Sequence, residues 1–439
     1  MGHRRSFPRS RVVPWCVGLA VLVAAAAGCS FRGQPAEEDG VVVWHSMAGD
    51  LRSVFESIVE TFNQGQRGRL KIVPRYQGEY GNLKGKIAMA LKAHSPPDMA
   101  QMYEAWISYY NAEKGREALV PLDPLVARDA KELDLADIYE VFIRDNTFDG
   151  KLYSFPFNKS FPCLFYNKDL FRRAGLDPSK PPATWDEFAA AGRKLTGDFN
   201  EDGKIDSWGW AFNVDPWLLE CMVLQNGGTL AHGDSDLSPI DAPEVVAAVD
   251  FFLNATKGPA PYAYRTNGRE FQNDFVGQRV AMIVTTSVSK SFMIDQIGFR
   301  WGMAPLPQGK RPVSIMAGTN IGIFARSPRE KQEVAWQFIK FFTRADNTAY
   351  WAIKTGYVPV RRSAVASLEF QKYLEVDPTP LAAIAQLDHA TFEPRAAGWF
   401  DVRDKLGQAL LRSLLGKGTP RENLSKANAE LLRIQGRKG

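Results

Sequence analysis

A chain of 439 residues, 45% hydrophobic and 23% charged, has the composition of a folded protein, which sets aside a disordered, collagen-like or multi-span membrane chain. The formal charge of +5 reflects 54 Lys and Arg against 49 Asp and Glu, but Arg4, Arg5, Arg9 and Arg11 lie in the first 28 residues, and the remainder carries 50 against 49. A body so close to neutral argues against a nucleic-acid partner, whose affinity rests on many phosphate-neutralising cations.

At the N-terminus a basic segment precedes an apolar run from Val12 to Ala27, the pattern of an export signal over residues 1–28. Ala26-Ala27-Gly28-Cys29 resembles a bacterial lipobox, which implies cleavage before Cys29 and acylation of its thiol and new amine. An uncut signal anchor is the alternative, but the run is short for a span of about 20 apolar residues and is broken by Pro14. Several acyl chains give stable anchoring to a membrane surface. Residues 29–40, rich in Gly, Pro and acids, read as a flexible tether. Cys163 and Cys221 are then the cysteines of the mature body, too few for a disulfide-built fold, and whether they bridge or stay as buried thiols is open.

Beyond the tether, Val41-Val42-Val43-Trp44 reads as a buried strand. Leu51, Val54, Phe55, Ile58 and Phe62 form a helical stripe. Leu70 to Val73, Leu83 to Leu91 and Asp98 to Tyr103 continue as strand, helix and strand, an alternation that predicts a parallel-type sheet covered on both faces, with ligands at the carboxyl ends of its strands. Thr184-Trp185-Asp186-Glu187 is a capping box, and Ser327-Pro328-Arg329-Glu330 repeats the signature before a helix to about Phe342. Leu406, Leu410 and Leu414 mark a C-terminal helix. Two α/β lobes joined by several crossings follow from this order, at about 100–200 residues per domain.

Trp44-His45-Ser46-Met47, Gln77-Gly78-Glu79-Tyr80, Phe157-Asn158-Lys159-Ser160, Tyr166-Asn167-Lys168-Asp169, Ala174-Gly175-Leu176-Asp177-Pro178 and Lys354-Thr355-Gly356-Tyr357-Val358-Pro359 stand in an order and spacing that resembles the extracytoplasmic solute-binding proteins of ABC importers, the maltose-binding-like family. The resemblance implies a hinged, two-lobed periplasmic-binding-protein fold of type II. Its lobe 1 would be 41–160 with 303–357, and its lobe 2 161–302 with 358–439, around a ligand cleft whose closure the permease reads. It also implies a monomer, bound to the membrane only through its lipid anchor, that delivers glycerol-3-phosphate, a glycerophosphodiester or a related polyol or sugar to permease subunits. No catalysis and no obligatory cofactor are implied.

In the glycerophosphate-binding members of that family, ligand contacts fall where this chain has Tyr80, Glu104, Ser160, Thr286, Gly318, Tyr357 and Arg403. Their chemistry suits the task. A guanidinium binds phosphate oxygens bidentately, hydroxyls and a glycine N–H add donors, and a carboxylate accepts from glycerol hydroxyls. Arg403 is the expected phosphate anchor and Glu104 the polyol reader. Two departures stand out. Thr286 replaces the usual serine, with Ser287 beside it as a substitute, and the segment that carries two tryptophans in those members reads Phe212-Asn213-Val214-Asp215-Pro216-Trp217, leaving Trp217 alone. A different wall could suit a phosphodiester, or a disaccharide held by aromatic faces and carboxylates.

Asp198-Phe199-Asn200-Glu201-Asp202-Gly203-Lys204-Ile205-Asp206 places oxygen side chains at positions 1, 3, 5 and 9 of an EF-hand-like loop with Gly at 6; with the Lys204 carbonyl at position 7, it predicts a structural calcium site remote from the cleft. The other reading is an ion-free Asp/Asn/Gly turn. Ser287-Val288-Ser289-Lys290 and Lys354-Thr355-Gly356 match two of three marks of a serine acyl-enzyme acting on β-lactams, but no S-D-N lies between them, and this remote reading is set aside. The five histidines are scattered, without H-E-x-x-H or C-x-x-C, so no catalytic metal is expected.

Overall fold

The protein is described by a computed structural model that defines residues 40–66, 70–112, 118–233, 236–396 and 398–436. The leader, Cys29 and the tether up to residue 39 lie outside the described residues. From Gly40 the chain runs β1 (Gly40–His45), α1 (Gly49–Gly65), β2 (Lys71–Tyr76), α2 (Tyr80–Lys92), β3 (Met99–Met102), α3 (Glu104–Ala112), α4 (Glu140–Asp145) and β4 (Phe155–Ser160). It continues through β5 (Pro162–Asn167), α5 (Trp185–Leu195), β6 (Trp208–Phe212), α6 (Pro216–Gln225), β7 (Ala263–Arg265), β8 (Val280–Thr286), α7 (Ser289–Met293) and β9 (Trp301–Pro305). The last part holds β10 (Ala317–Ile323), α8 (Arg329–Phe342), α9 (Ala345–Thr355), α10 (Leu368–Val376) and α11 (Trp399–Leu414); further helices, among them Pro243–Lys257 and Pro420–Gly436, and two-residue strands complete the described chain.

Two five-stranded sheets result, in the orders β2-β1-β3-β10-β4 and β7-β6-β8-β5-β9. The expected helices and strands fall where the periodicity puts them: Leu51, Phe55, Ile58 and Phe62 are the buried face of α1, and Leu406, Leu410 and Leu414 are buried on α11. The strand expected to end at Val73 continues through Pro74 to Tyr76 as β2, because β2 pairs only with β1 and an edge strand tolerates a residue without an N–H.

The parallel-type expectation holds for β2-β1-β3 and for β7-β6-β8, but both sheets are mixed. In the first sheet β10 runs antiparallel to both neighbours, and in the second β5 does. Both strands enter directly from a crossing. β4 ends at Ser160 and β5 begins two residues later, so β5 starts at the end of the second sheet where β8 finishes, with Pro162 beside Thr286. β9 finishes at the same end, with Pro305 beside Cys163, and β10 re-enters the first sheet with Ala317 beside Ser160. A strand that enters a sheet at the cleft must run against the strands that end there.

The boundaries drawn from the sequence shift as well. Residues 303–305 belong to β9 in the second sheet rather than to lobe 1, and Gln308 still pairs with Thr184. Residues 358–376 stay with the first sheet: Val358 pairs with Lys159, Arg361 donates to the Leu133 carbonyl at 2.7 Å and to the Thr343 carbonyl, and Phe370 packs with Ala349 and Ala352 of α9. Around the first crossing the core is continuous, joining Phe155, Phe157 and Trp336 to Phe161, Cys163, Phe165 and Phe275.

Of the two expected helix starts, one caps as read. Thr184 Oγ1 accepts from Glu187 N at 3.2 Å while Glu187 accepts from Thr184 N. Before α8 the capping position is Pro328, and Ser327 instead donates to Asp98 Oδ1 at 2.6 Å, across 229 residues of chain. Cys163 and Cys221 are both buried and unbridged, and burial pushes both thiols well above their ordinary range. Among the described residues no helix is long and apolar enough to cross a membrane.

Candidate functional site

The cleft-facing ends of the two sheets supply the site. On the first, Ser160 closes β4, Gly318 is the second residue of β10 and stands opposite Lys159, and Glu104 begins α3 just after β3. Gly318 adopts φ +120, a conformation only glycine takes without strain, and a Cβ there would sit 1.8 Å from the Asn158 carbonyl oxygen. Tyr80 packs edge-on to Tyr103 with ring centroids 5.0 Å apart, and Tyr357 stacks on Trp351 at 5.7 Å. Burial raises the pKa of the Tyr80 hydroxyl, partly offset by hydrogen bonding with Asn158, Tyr357, Gln101 and Tyr103. The result is a wall of neutral phenols fixed by Asn158 and Gln101. Gln101 donates to Thr319 Oγ1 at 2.7 Å, and Asn158 Oδ1 accepts from Thr319 N at 2.8 Å.

Glu104 is buried beside the Asp145–Lys159 pair, itself sealed in the interior. Burial and the Asp145 charge lift its carboxyl to about 8, with Lys159 pulling the other way. This environment biases Glu104 toward its protonated form, which donates as well as accepts.

On the second lobe Arg403, from α11, is in place but is not free. Its Nε donates to Glu220 Oε1 at 2.9 Å, and it forms ion pairs with Glu393 at 3.3 Å and Asp215 at 3.5 Å. Glu220 is fully buried within the apolar run Trp217 to Leu224 of α6, and its Oε2 has no hydrogen-bond partner among the described residues. Glu393 also accepts from Trp399 Nε1 at 2.9 Å. Burial raises both glutamates, and Arg403 opposes that rise. Three carboxylates surround one guanidinium, so Arg403 orients acids rather than presenting a bare cation. Two of its five N–H donors are in hydrogen bonds, Nε to Glu220 and one Nη2 hydrogen to Asp215, and a third group, Nη1, faces Glu393, so part of the fork stays open to a ligand.

Beside Arg403 lies a cavity of about 610 Å³ whose wall includes Asn213, Val214, Arg265, Thr266 and Phe400. Asn213, Val214 and Pro216 come from the segment flagged for its missing tryptophan, but Trp217 is not on this wall: its Nε1 donates to the Ile315 carbonyl at 3.0 Å. Thr286, at the end of β8, accepts from Val288 N at 3.4 Å, whereas Ser287 cannot substitute for it because its hydroxyl donates to the Gly356 carbonyl at 3.0 Å. Lys84 from α2 reaches across to lie 4.2 Å from the centre of the Phe400 ring, an attraction that bridges the two halves.

Sequence reasoning missed Asn158 and Gln101 as positioning groups, and Asp215, Glu220 and Glu393 as partners of Arg403. One signal was readable: a glutamate inside Trp217-Leu218-Leu219-Glu220-Cys221-Met222-Val223 is a charge in an apolar helix and demands a cation.

In the loop read as a calcium site, Asp198, Asn200, Asp202, Lys204 and Asp206, the acids take up hydrogen bonds from the loop itself. Asp206 Oδ2 accepts from Phe199 N at 2.7 Å and Asn200 N at 2.9 Å, Asp198 Oδ2 from Gly203 N at 2.6 Å, and Asp202 Oδ1 from Lys204 N at 2.9 Å. The carboxylates satisfy the loop's own amides, as in an Asx-type turn. Among the described residues no group of three His, Cys, Asp or Glu side chains gathers at metal-binding spacing. The acyl-enzyme geometry is missing too: Lys290 pairs with Asp377 and Tyr373 rather than Ser287, and Lys354-Thr355-Gly356 ends α9 instead of lying on a strand.

Two mixed sheets whose polar ends meet across a hinge define a receptor that encloses a solute. The chain belongs to the bacterial extracellular solute-binding protein family, whose profile matches residues 57–378. The particular proteins it is similar to include the sn-glycerol-3-phosphate-binding periplasmic protein UgpB of Salmonella typhimurium, 28% identical over 425 residues and 94% of each chain. The protein of the same name from Escherichia coli K12 is 27% identical over 92% of this chain and 94% of that one. The crystal structure of UgpB from Mycobacterium tuberculosis in complex with glycerophosphocholine matches with a TM-score of 0.79 at 26% identity, covering 91% of this chain and 99% of that one. A cyclic α-maltosyl-1,6-maltose binding protein from Arthrobacter globiformis shares the fold, with a TM-score of 0.75 at 22% identity over 89% and 97% of the two chains.

Proposed function

We propose that this protein captures a glycerophosphodiester outside the cytoplasm and delivers it to the permease of an ABC importer, binding without catalysis or a cofactor. The observation that carries the reading is the Arg403 cluster: one guanidinium held by Asp215, Glu220 and Glu393, in the electrostatic reach of Tyr103, with buried Glu104 beside it and the Tyr80 and Tyr357 hydroxyls on the same wall. So many carboxylates disfavour a dianionic phosphate monoester and suit a ligand of one negative charge bearing hydroxyls, and a cationic head group would gain from them. The likeness to a UgpB crystallised with glycerophosphocholine supports the same class. The acid-rich cluster also suits a disaccharide, which is the second reading.

Calorimetric titration against glycerophosphocholine, glycerol-3-phosphate, maltose and trehalose checks this. Glycerophosphocholine should bind most tightly. Heat with maltose or trehalose alone would transfer the protein to the sugar reading, and silence with all four would overturn the receptor assignment for this ligand range.

The Cys29 anchor belongs to the same proposal, since a tethered receptor stays near its permease. Cells expressing the full chain and fed a labelled fatty acid should incorporate the label, and Cys29→Ala should abolish it. Equal labelling of the variant would remove the anchor from the proposal.

A further inference from the structure

The cavity beside Arg403 holds a second arginine that no family likeness singled out. Arg265 is the last residue of β7, opposite Phe212 at the end of β6, so it stands at the cleft end of the second sheet. Its Nη1 donates to Asn267 Oδ1 at 2.8 Å and to its neighbour's carbonyl, Thr266 O, at 3.4 Å. Both partners are neutral, and among the described residues Arg265 forms no ion pair. The Asp404 carboxylate on the same wall accepts from Gln408 at 2.6 Å and is not at ion-pair distance from Arg265.

The two arginines of this cavity therefore differ in kind. Arg403 has its charge offset three times over, by Asp215, Glu220 and Glu393. Arg265 has no carboxylate at ion-pair distance among the described residues, is half-buried, and is braced at one nitrogen by Asn267, which leaves its other donors for a ligand. An anion entering the cavity meets a compensated guanidinium on one side and an uncompensated one on the other. Coulomb attraction and the bidentate match of guanidinium to phosphate oxygens both favour the second. Asn213 on the same wall carries an amide that can donate to a further ester oxygen, and Phe400 gives an apolar flank.

We propose that Arg265 is the residue that reads the phosphate of the ligand, while Arg403 positions the carboxylates that hold its hydroxyls. The proposal rests on the phosphate-ester reading above and assigns the phosphate to a different residue from the one the sequence marked.

The test titrates the full mature chain and its Arg265→Ala and Arg265→Lys variants with glycerophosphocholine and glycerol-3-phosphate, with thermal melting as the check on folding. Arg265→Ala should melt like the parent and bind both phosphate esters about 10- to 100-fold more weakly, the scale of one lost charge-assisted contact. Arg265→Lys should fall between, since an ammonium keeps the charge without the fork. If the parent binds either ester and Arg265→Ala binds it as tightly, the assignment of the phosphate is wrong while the receptor reading stands. If the parent binds neither ester, the phosphate reading itself has failed and the assignment falls with it.

Discussion

Arg403→Ala is expected to destabilise the protein by about 3–5 kcal/mol, because it strands buried carboxylates without their cation. Glu220 has no exposed surface and Glu393 very little, and both lean on this one guanidinium. Burial already holds the two carboxyls above the usual range with Arg403 present, and its removal lifts them further. A carboxyl whose folded pKa exceeds its unfolded value of about 4.3 binds more protons folded than unfolded between those limits, so stability falls as pH rises through that window. The deficit of the variant should therefore be deepest at about pH 8 and shrink on acidification toward about pH 5, as Glu220 and Glu393 take up protons. Adding Glu220→Gln to Arg403→Ala should recover part of the loss at the upper pH. Urea unfolding at the two pH values checks this, and a variant that unfolds like the parent at both would show that the acids do not depend on Arg403. Ligand binding separates the two arginines: Arg403→Ala should weaken every ligand that reaches the cluster, phosphorylated or not, whereas Arg265→Ala should act on phosphate esters alone.

What the sequence made legible divides along a physical line. Local patterns were readable because they depend on near neighbours: the stripe of α1, and the Thr184–Glu187 capping box, which needs only four consecutive residues. The Ser327 signature failed because a tertiary partner, Asp98, competes for the same hydroxyl at 2.6 Å. Strand direction was not readable, since β5 and β10 are reversed by where the chain crosses between sheets, and alternation of strand and helix carries no record of that. The boundaries slipped for the same reason, with 303–305 and 358–376 claimed by strand pairing and buried contacts that only the folded chain shows. At the site, Tyr80, Glu104, Ser160, Thr286, Gly318, Tyr357 and Arg403 were named through blocks of family-like sequence, yet their partners were not. Arg403 and Glu220 are 183 residues apart, and Glu393 sits in a segment with no periodicity to mark it. An arginine looks like an open anion site until its carboxylates are in view. Trp217 shows the converse: a lone tryptophan in a segment where relatives carry two, its Nε1 is tied to the Ile315 carbonyl, a partner 98 residues away that its own sequence does not announce.

Gly318→Ala should cost about 2–6 kcal/mol, the sum of a strained backbone and an overpacked contact. The added carbon would lie 1.8 Å from the Asn158 carbonyl oxygen and 2.8 Å from its carbon, backbone atoms of β4 that have no rotamer to change. Relief requires β10 to move away from β4, and the pairing there is already irregular between Thr319 and Asn320. That movement would pull Thr319 from the Asn158 side chain, whose Oδ1 accepts its N–H at 2.8 Å, and Asn158 is also a partner of the Tyr80 hydroxyl. One methyl group should thus lower the urea midpoint and weaken ligand binding even in the fraction that remains folded, because the phenol wall loses its brace. Ser160→Ala, at the β4 end of the same pairing, adds no atom and should leave the midpoint close to the parent value. If Gly318→Ala unfolds at the parent midpoint, the two strands can separate without cost and the close approach at the cleft end of the first sheet does not constrain the site.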